Sequence, residues 1–255
     1  IALPNTLHYE WAVKAMQSGK HVLCEKPLAP SEQQVKELFD TAKENHVYLM
    51  EAFAYLHSPY ITAIRKEIEE GTIGEVRYID SAFITSDYKK ENIRMRRETL
   101  GGCTYDLGVY STSLTLVMMN EEPENIKASA VFSEEQVDKL TSVVMEFSGG
   151  KKAAFTCGMT LATEQDRRLD RLEIDGTKGS ITGTRFAFNG DGELSYTIRM
   201  ADGREEVKTM EVPQNYRLEA EQFGRCIAEG EMPAGTEEFS LKNARLVDRI
   251  LKEIG

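Results

Sequence analysis

Along residues 1–54, short apolar runs alternate with longer amphipathic stretches. "IAL" and "HVLCE" read as strand segments, and "VYLMEAF" as a further strand. Between the first two, Leu7, Trp11, Ala15 and Met16 fall on one side of a helix, with Thr6 as N-cap and Gly19 as closure. A second helix carries Val35, Leu38, Phe39 and Ala42 on one stripe, behind a Ser31–Gln34 capping box. Strand–helix–strand–helix–strand on short loops predicts a parallel sheet with crossover helices.

From residue 55 the period changes. Pro59 opens a helix with Ile61, Ile64 and Ile68 on one side, ending at Gly71. "EVRYIDSAFIT" is a long strand, followed by a charged loop (Asp87 to Glu98), a glycine pair and an apolar helix to about Met119. Seven further segments read as strands: "ENIKASAVF", "TSVVMEFS", "KAAFTCGMTL", "DRLEIDG", "GSITGT", "ELSYTIR" and "EEVKTMEV". "SGGK", "DGTKG", "NGDG" and "ADG" supply turns. Two helices close the chain, Tyr216–Ala228 and Leu241–Ile254, the second with Ser240 as N-cap. The expected fold class is α/β: the C-terminal part of a doubly wound domain (1–54), then an α/β domain with a large open, mostly antiparallel sheet (55–255).

Composition narrows the partners. A net charge of −11 over 255 residues argues against nucleic acid or an anionic membrane surface. No apolar run approaches the ~18 residues of a membrane span. No signal peptide is visible, so the expected location is the cytoplasm. The four cysteines, Cys24, Cys103, Cys157 and Cys226, lack CxxC spacing and read as free thiols, with no metal site. A dinucleotide needs a glycine-rich loop, and neither "GTIGEV" nor "NGDGEL" has its spacing. The chain starts at Ile1 in what reads as a strand tail, so the expectation is a fragment whose phosphate loop precedes it.

Two stretches carry candidate chemistry. In "VLCEKPLA" a buried-type strand ends in Glu25-Lys26-Pro27, where proline stiffens the lysine at a ligand-binding sheet edge. An ordinary strand exit with solvated charges is the alternative. In "LGGCTYDLGVYS", Asp106 and Tyr110 are four apart and share a helix face. A tyrosine, with an ordinary pKa of about 10, exchanges protons near neutrality only beside a cation. Lys26 is the candidate cation. The alternative is a tyrosine packed under a loop with its hydroxyl tied to Asp106. Of the remaining histidines, His21 and His46 read as surface residues and His57 as a less favoured pocket residue, while Met118 and Met119 read as core.

"LPNTLHYEWAVKAMQSGKHVLCEKPLA", "GTIGEVRYIDSAF", "MEAFAYLHSP" and "NIRMRRETLGGCTYDLGVYS" together resemble the glucose-fructose oxidoreductase / inositol dehydrogenase / rhizopine-catabolism (Gfo/Idh/MocA) family. Tyrosine at 110 resembles the branch of dihydrodiol dehydrogenases, sugar 1-dehydrogenases and glucose-fructose oxidoreductase. The resemblance implies the end of a Rossmann domain and NADP or NAD as cofactor, NADP slightly favoured. It implies cofactor contacts at Leu3, Pro4, Asn5, His8, Glu25, Lys26 and Pro27, with the Lys26–Pro27 bond cis. It further implies Tyr110 as acid/base assisted by Lys26 and Asp106, and a substrate pocket with Arg94, Asp106 and Tyr110. Two departures stand out: the first strands and glycine loop of the family's nucleotide domain do not appear in this sequence, so the chain as given is expected to bind a dinucleotide poorly, and Leu56 follows Tyr55 where that branch has arginine. Cys103 in place of the third glycine of the usual triplet is a milder change.

The leading expectation is an oxidoreductase acting on a sugar, cyclitol or dihydrodiol-type polyol. A non-catalytic nucleotide- or sugar-binding regulator of the same fold, and a redox-neutral hydrolase using nicotinamide transiently, stay open. Long alternating strands leave an apolar sheet face, which predicts a homodimer or higher homo-oligomer.

Overall fold

The computed structural model describes residues 1–161, 168–183 and 190–255. The expected strand end at Thr184 and the turn residue Asn189 lie outside them. The first part runs α1 (Asn5–Gln17), β1 (Val22–Glu25), α2 (Glu32–Glu44) and β2 (Leu49–Ala52). β1 and β2 pair in parallel, with Val22 opposite Leu49. On the other edge of β1, Ile1 N donates to Leu23 O at 2.6 Å, and Glu25 N donates to Ile1 O at 2.9 Å. That is one parallel step, as the "IAL" reading expects.

The second part runs α3 (Pro59–Glu69), β3 (Val76–Ser86), α4 (Val109–Met119), β4 (Asn125–Phe132), β5 (Asp138–Glu146), β6 (Lys152–Leu161), β7 (Leu169–Gly176), β8 (Gly179–Gly183), β9 (Gly192–Met200), β10 (Glu205–Val212), α5 (Asn215–Glu229) and α6 (Glu237–Ile254). Eight strands form one sheet in the order β10-β9-β8-β7-β3-β6-β5-β4. Its pairings are antiparallel except β3 with β6. One apolar cluster lies between β1, α1 and α2, and a larger one between the big sheet and its helices. α6 joins them: Leu241 and Ala244 pack on the first cluster, while Leu246, Val247 and Ile250 are buried in the second. Arg245 reinforces the junction with ion pairs to Glu32 at 2.6 Å and Glu122 at 2.7 Å.

Three details differ from the sequence reading. α1 turns His8, Ala12 and Met16 inward and leaves Trp11 49% exposed, with Lys14 Nζ over its ring. The inward face is set by His8, whose ring finds two backbone partners, and Thr6 lies inside the first turn instead of capping it. α6 starts earlier than expected. Thr236 accepts the Phe239 N–H at 3.2 Å, and Ser240 lies inside the helix. The acids Glu237 and Glu238 suit that first turn, where the helix dipole is positive. The apolar helix after the glycine pair opens with a π-helical turn, Thr104–Gly108, before α4. Of the expected Ser31–Gln34 box one half forms: Gln34 N donates to Ser31 Oγ at 3.3 Å, whereas the Gln34 side-chain oxygen finds no hydrogen-bond donor among the described residues.

Candidate active site

β1 delivers Glu25 and Lys26 to the C-terminal edge of its sheet. The Lys26–Pro27 peptide bond is cis. The turn behind it is tied from two sides. Pro27 O lies 2.8 Å from His8 Nδ1, and Leu28 N donates to Glu51 Oε1 at 2.9 Å. His8 Nε2 lies 2.8 Å from Leu3 O, so one buried ring links the two segments that form this edge. Burial pushes the Glu51 carboxyl up to about 7, against the Leu28 N–H bond.

The opposite wall comes from residues 92–110. Asn92 Oδ1 accepts the Arg94 N–H at 3.0 Å, and Gly102 N donates back to Arg94 O at 2.8 Å. Both glycines of the pair are needed. A Cβ at Gly101 would stand 2.5 Å from Arg94 O, and at Gly102 (φ +113°) 2.0 Å from Asp138 Oδ1. Asp138, buried at the start of β5, gathers the donors that open the helix. Its Oδ2 accepts from Thr104 N at 2.8 Å, Thr104 Oγ1 at 2.6 Å, Thr141 Oγ1 at 2.9 Å and Cys103 Sγ at 3.1 Å. Asn5 Nδ2 donates to Leu100 O at 2.8 Å and fastens this wall to α1.

The walls meet at Lys26. Its Nζ donates to Asp106 O at 2.6 Å and lies 3.2 Å from Asp106 Oδ1. Arg94 Nε donates to Asp106 Oδ2 at 2.7 Å. Lys26 Nζ also stands 4.8 Å from the centre of the Tyr110 ring. Burial by itself would lower the lysine, but the Asp106 charge, Tyr110 and the Asp106 hydrogen bonds outweigh it and hold the ammonium well above its usual range. Burial likewise works to raise Asp106, yet the Lys26 and Arg94 charges keep it an anion below the usual carboxylate range. Tyr110 is 7% exposed, its ring packed against Phe53, Tyr55 and Phe83 with centroids 5.7, 6.2 and 5.8 Å away.

These groups line a cleft of about 480 Å³. Leu3, Asn5, His8, Glu25, Lys26, Arg94, Asp106 and Tyr110 all contribute to it, although both nitrogens of His8 face backbone carbonyls. Pro4 and Pro27 do not line it; they shape the backbone beside it. His57 is absent from the lining, and burial with the Arg225 charge lowers it to about 4. Sequence reasoning missed Phe83, Thr85, Tyr88, Arg168 and Tyr216. The strand positions carry no local signal, because the cleft forms where β3, β7 and α5 converge. Tyr216, in the first turn of α5, is pushed up to about 12 by burial and then by Tyr110 and Glu25. Beside it on α5, Glu219 is 4% exposed and its Oε1 has no partner; burial and the Glu25 charge push it up to about 8.

Residues 1–53 match the family described as "Oxidoreductase family, NAD-binding Rossmann fold", and residues 61–182 match "GFO/IDH/MocA C-terminal domain". An uncharacterised oxidoreductase of Rhizobium meliloti is 32% identical, across 98% of this chain and 75% of the relative. The chain belongs to the Gfo/Idh/MocA oxidoreductase family. A trans-1,2-dihydrobenzene-1,2-diol dehydrogenase of Xenopus laevis is 31% identical over 98% of this chain and 76% of its own. A D-xylose 1-dehydrogenase (NADP(+)) of Haloferax volcanii is 31% identical over 98% of this chain and 75% of its own. Among solved structures, a 3-ketoreductase from Actinomadura kijaniata in complex with NADP and TDP-benzene superposes with a TM-score of 0.90. It is 27% identical, with 100% of this chain and 77% of that one covered.

As a Gfo/Idh/MocA member the protein is an NAD(P)-dependent oxidoreductase acting on CH–OH groups. The residues present suit the nicotinamide end of that cofactor. Glu25 lines the cleft with no side-chain hydrogen bond or ion pair among the described residues, and an unpaired carboxylate at a parallel sheet edge complements a cationic ring. Among the described residues, no helix is long and apolar enough to cross a membrane.

Proposed function

We propose that this oxidoreductase interconverts a carbinol and a carbonyl on a sugar, cyclitol or dihydrodiol-type polyol, with Tyr110 as acid/base and Lys26 as its assisting cation. One observation carries the reading: the Lys26 ammonium, anchored on Asp106, stands over the Tyr110 ring inside the cleft. Residues 1–54 act as the dinucleotide-binding part, where Leu3, Asn5, Glu25 and Lys26 hold the nicotinamide end, backed by Pro4, His8 and Pro27. Residues 55–255 act as the substrate-binding and dimerisation part. When bound, NAD(P) supplies the hydride acceptor or donor. Tyr110 Oη takes the proton of the reacting hydroxyl during oxidation and returns it during reduction. Lys26, held charged, favours the phenolate and orients the substrate oxygen. Asp106 fixes Lys26 and Arg94 so that neither has to reorganise as charge develops. The NADP-dependent relatives favour NADP over NAD. The relatives named for a dihydrodiol and a pentose support the polyol class.

The test is Tyr110→Phe assayed with NADP and a polyol panel. Turnover falls roughly a hundredfold or more, the usual weight of a positioned proton-transfer group, while NADP affinity stays within about twofold. Undiminished turnover rules out Tyr110 as the acid/base.

A further inference from the structure

The substrate side of the cleft is more cationic than neutral polyol chemistry requires. Among the described residues its lining holds Lys26, Arg94 and Arg168 against two carboxylates, Glu25 and Asp106, on a protein whose net charge is −11. Asp106 is already engaged by Lys26 and Arg94. The two arginines converge on the C-terminal end of β3. Arg168 sits one residue beyond the Ile84–Leu169 pair of β3 and β7, at the level of Thr85, with its guanidinium 5.4 Å from the Phe83 ring centre. Arg94 lies 5.2 Å from the Tyr88 ring centre, just past the end of the same strand. Phe83 in turn touches Tyr110, the proposed proton-transfer group.

Each guanidinium is anchored in a way that leaves donors over. Arg94 uses Nε for Asp106, while its Nη1 and Nη2 make no hydrogen bond among the described residues. Its backbone is held on both sides by Asn92 and Gly102, and its guanidinium lies over the Tyr88 ring. Among the described residues Arg168 makes one ion pair, Nη2 to Asp170 at 3.0 Å, and it keeps 32% of its side chain exposed. A planar guanidinium fixed through one edge presents the other as a fork, matched to a carboxylate or phosphate. Two such forks beside an aromatic wall form a binding feature separate from the proton-transfer group.

Resting on the oxidoreductase reading, we propose that the substrate is a polyol or sugar bearing an anionic oxygen group, carboxylate or phosphate. Arg94 and Arg168 grip that group while its carbinol faces Tyr110. The anion supplies remote binding energy that orients the reacting carbon, and it selects against neutral sugars.

Isothermal titration of the cofactor-free chain with D-glucose, D-glucuronate and D-glucose 6-phosphate, at matched ionic strength, tests this on one shared ring. At least one anionic sugar is expected to bind about tenfold or more tightly than D-glucose, the scale of one charge-assisted contact. Glucuronate alone gaining identifies a carboxylate, and glucose 6-phosphate alone a phosphate. The advantage is expected to shrink to about twofold in Arg94→Met and Arg168→Met, with Arg94→Lys in between because it keeps the charge and loses the fork. If neither anionic sugar binds more tightly than D-glucose, the proposal is overturned. It is equally overturned if the advantage survives both methionine variants. A variant that does not fold leaves the wild-type comparison to decide. NADP reduction assayed separately keeps the readings apart: turnover of neutral polyols without an anionic preference removes the anion site and leaves the oxidoreductase reading standing.

Discussion

Lys26 shows how one residue's chemistry depends on its neighbours. A buried ammonium alone tends to shed its proton, and here Asp106 reverses that tendency. Asp106→Asn removes the charge that holds Lys26 protonated. The lysine then loses its proton at lower pH, and the alkaline limb of the kcat/KM profile moves to lower pH. Overall kcat/KM is expected to fall about ten- to a hundredfold as the walls loosen. A pH–rate profile of the variant checks this, and an unmoved alkaline limb means Lys26 does not control it. Glu219 is the opposite case, a buried carboxyl kept neutral. Its folded pKa is raised, so its stabilising contribution is complete below the ordinary glutamate value and is lost as pH rises through about 8. Glu219→Gln is therefore expected to reduce the loss of stability between about pH 5 and about pH 8, by on the order of 1–3 kcal/mol. Urea unfolding of both proteins at the two pH values measures it; parallel pH dependences would show that Glu219 ionises freely when folded.

Among the elements, the π-turn and α4 unit, which carries Asp106 and the proposed acid/base Tyr110, is held by a strand. Asp138 of β5 accepts four donors from residues 103–104 and 141, and Gly102 leaves room for its carboxylate. Asp138→Ala strands those buried donors and is expected to cost about 2–4 kcal/mol, with Gly102→Ala comparably harmful through its steric clash. Denaturant midpoints read both; a loss under about 0.5 kcal/mol for Asp138→Ala would mean other acceptors take over. The sequence reading reached the glycine pair and the helix but not this cap. An aspartate opening the "VDKLTSVV" run looks like any strand-edge acid, and its partners at the helix start, Cys103 and Thr104, lie 34 or 35 residues away. Caps are local: Ser31 and Thr236 each lie three residues before the N–H they accept, and in "TEEFSL" both Thr236 and Ser240 are cap-type residues ahead of apolar positions, so spacing along the chain does not choose between them.

At the scale of the molecule, strand register collects Tyr78, Val131, Val144, Leu169 and Val207 on one face of the eight-stranded sheet. They are 38, 59, 46, 43 and 59% exposed. Threonines and opposite charges, such as the Arg171–Asp80 pair at 2.6 Å, lie among them. This face is the surface proposed for dimerisation. Light scattering is expected to give a dimer for the wild type, and a monomer for Tyr78→Glu combined with Val144→Glu. A monomeric wild type at high concentration removes the proposal.

Periodicity and turn residues set out the strands and helices in order, though not where α6 starts or that a π-turn precedes α4, and the break between a parallel βα unit and a mostly antiparallel sheet, because burial of one face imposes its repeat on adjacent residues. It also brought out Lys26, Asp106 and Tyr110, since proline after a lysine and an i, i+4 pair on a helix are local patterns. Tertiary structure decided that Lys26 and Asp106, 80 residues apart, share a hydrogen bond, that Asp138 anchors the turn between them, and that Arg168 and Tyr216 reach the same cleft. Those contacts come from packing two sheets through α6, and no spacing along the chain encodes a distance across that junction.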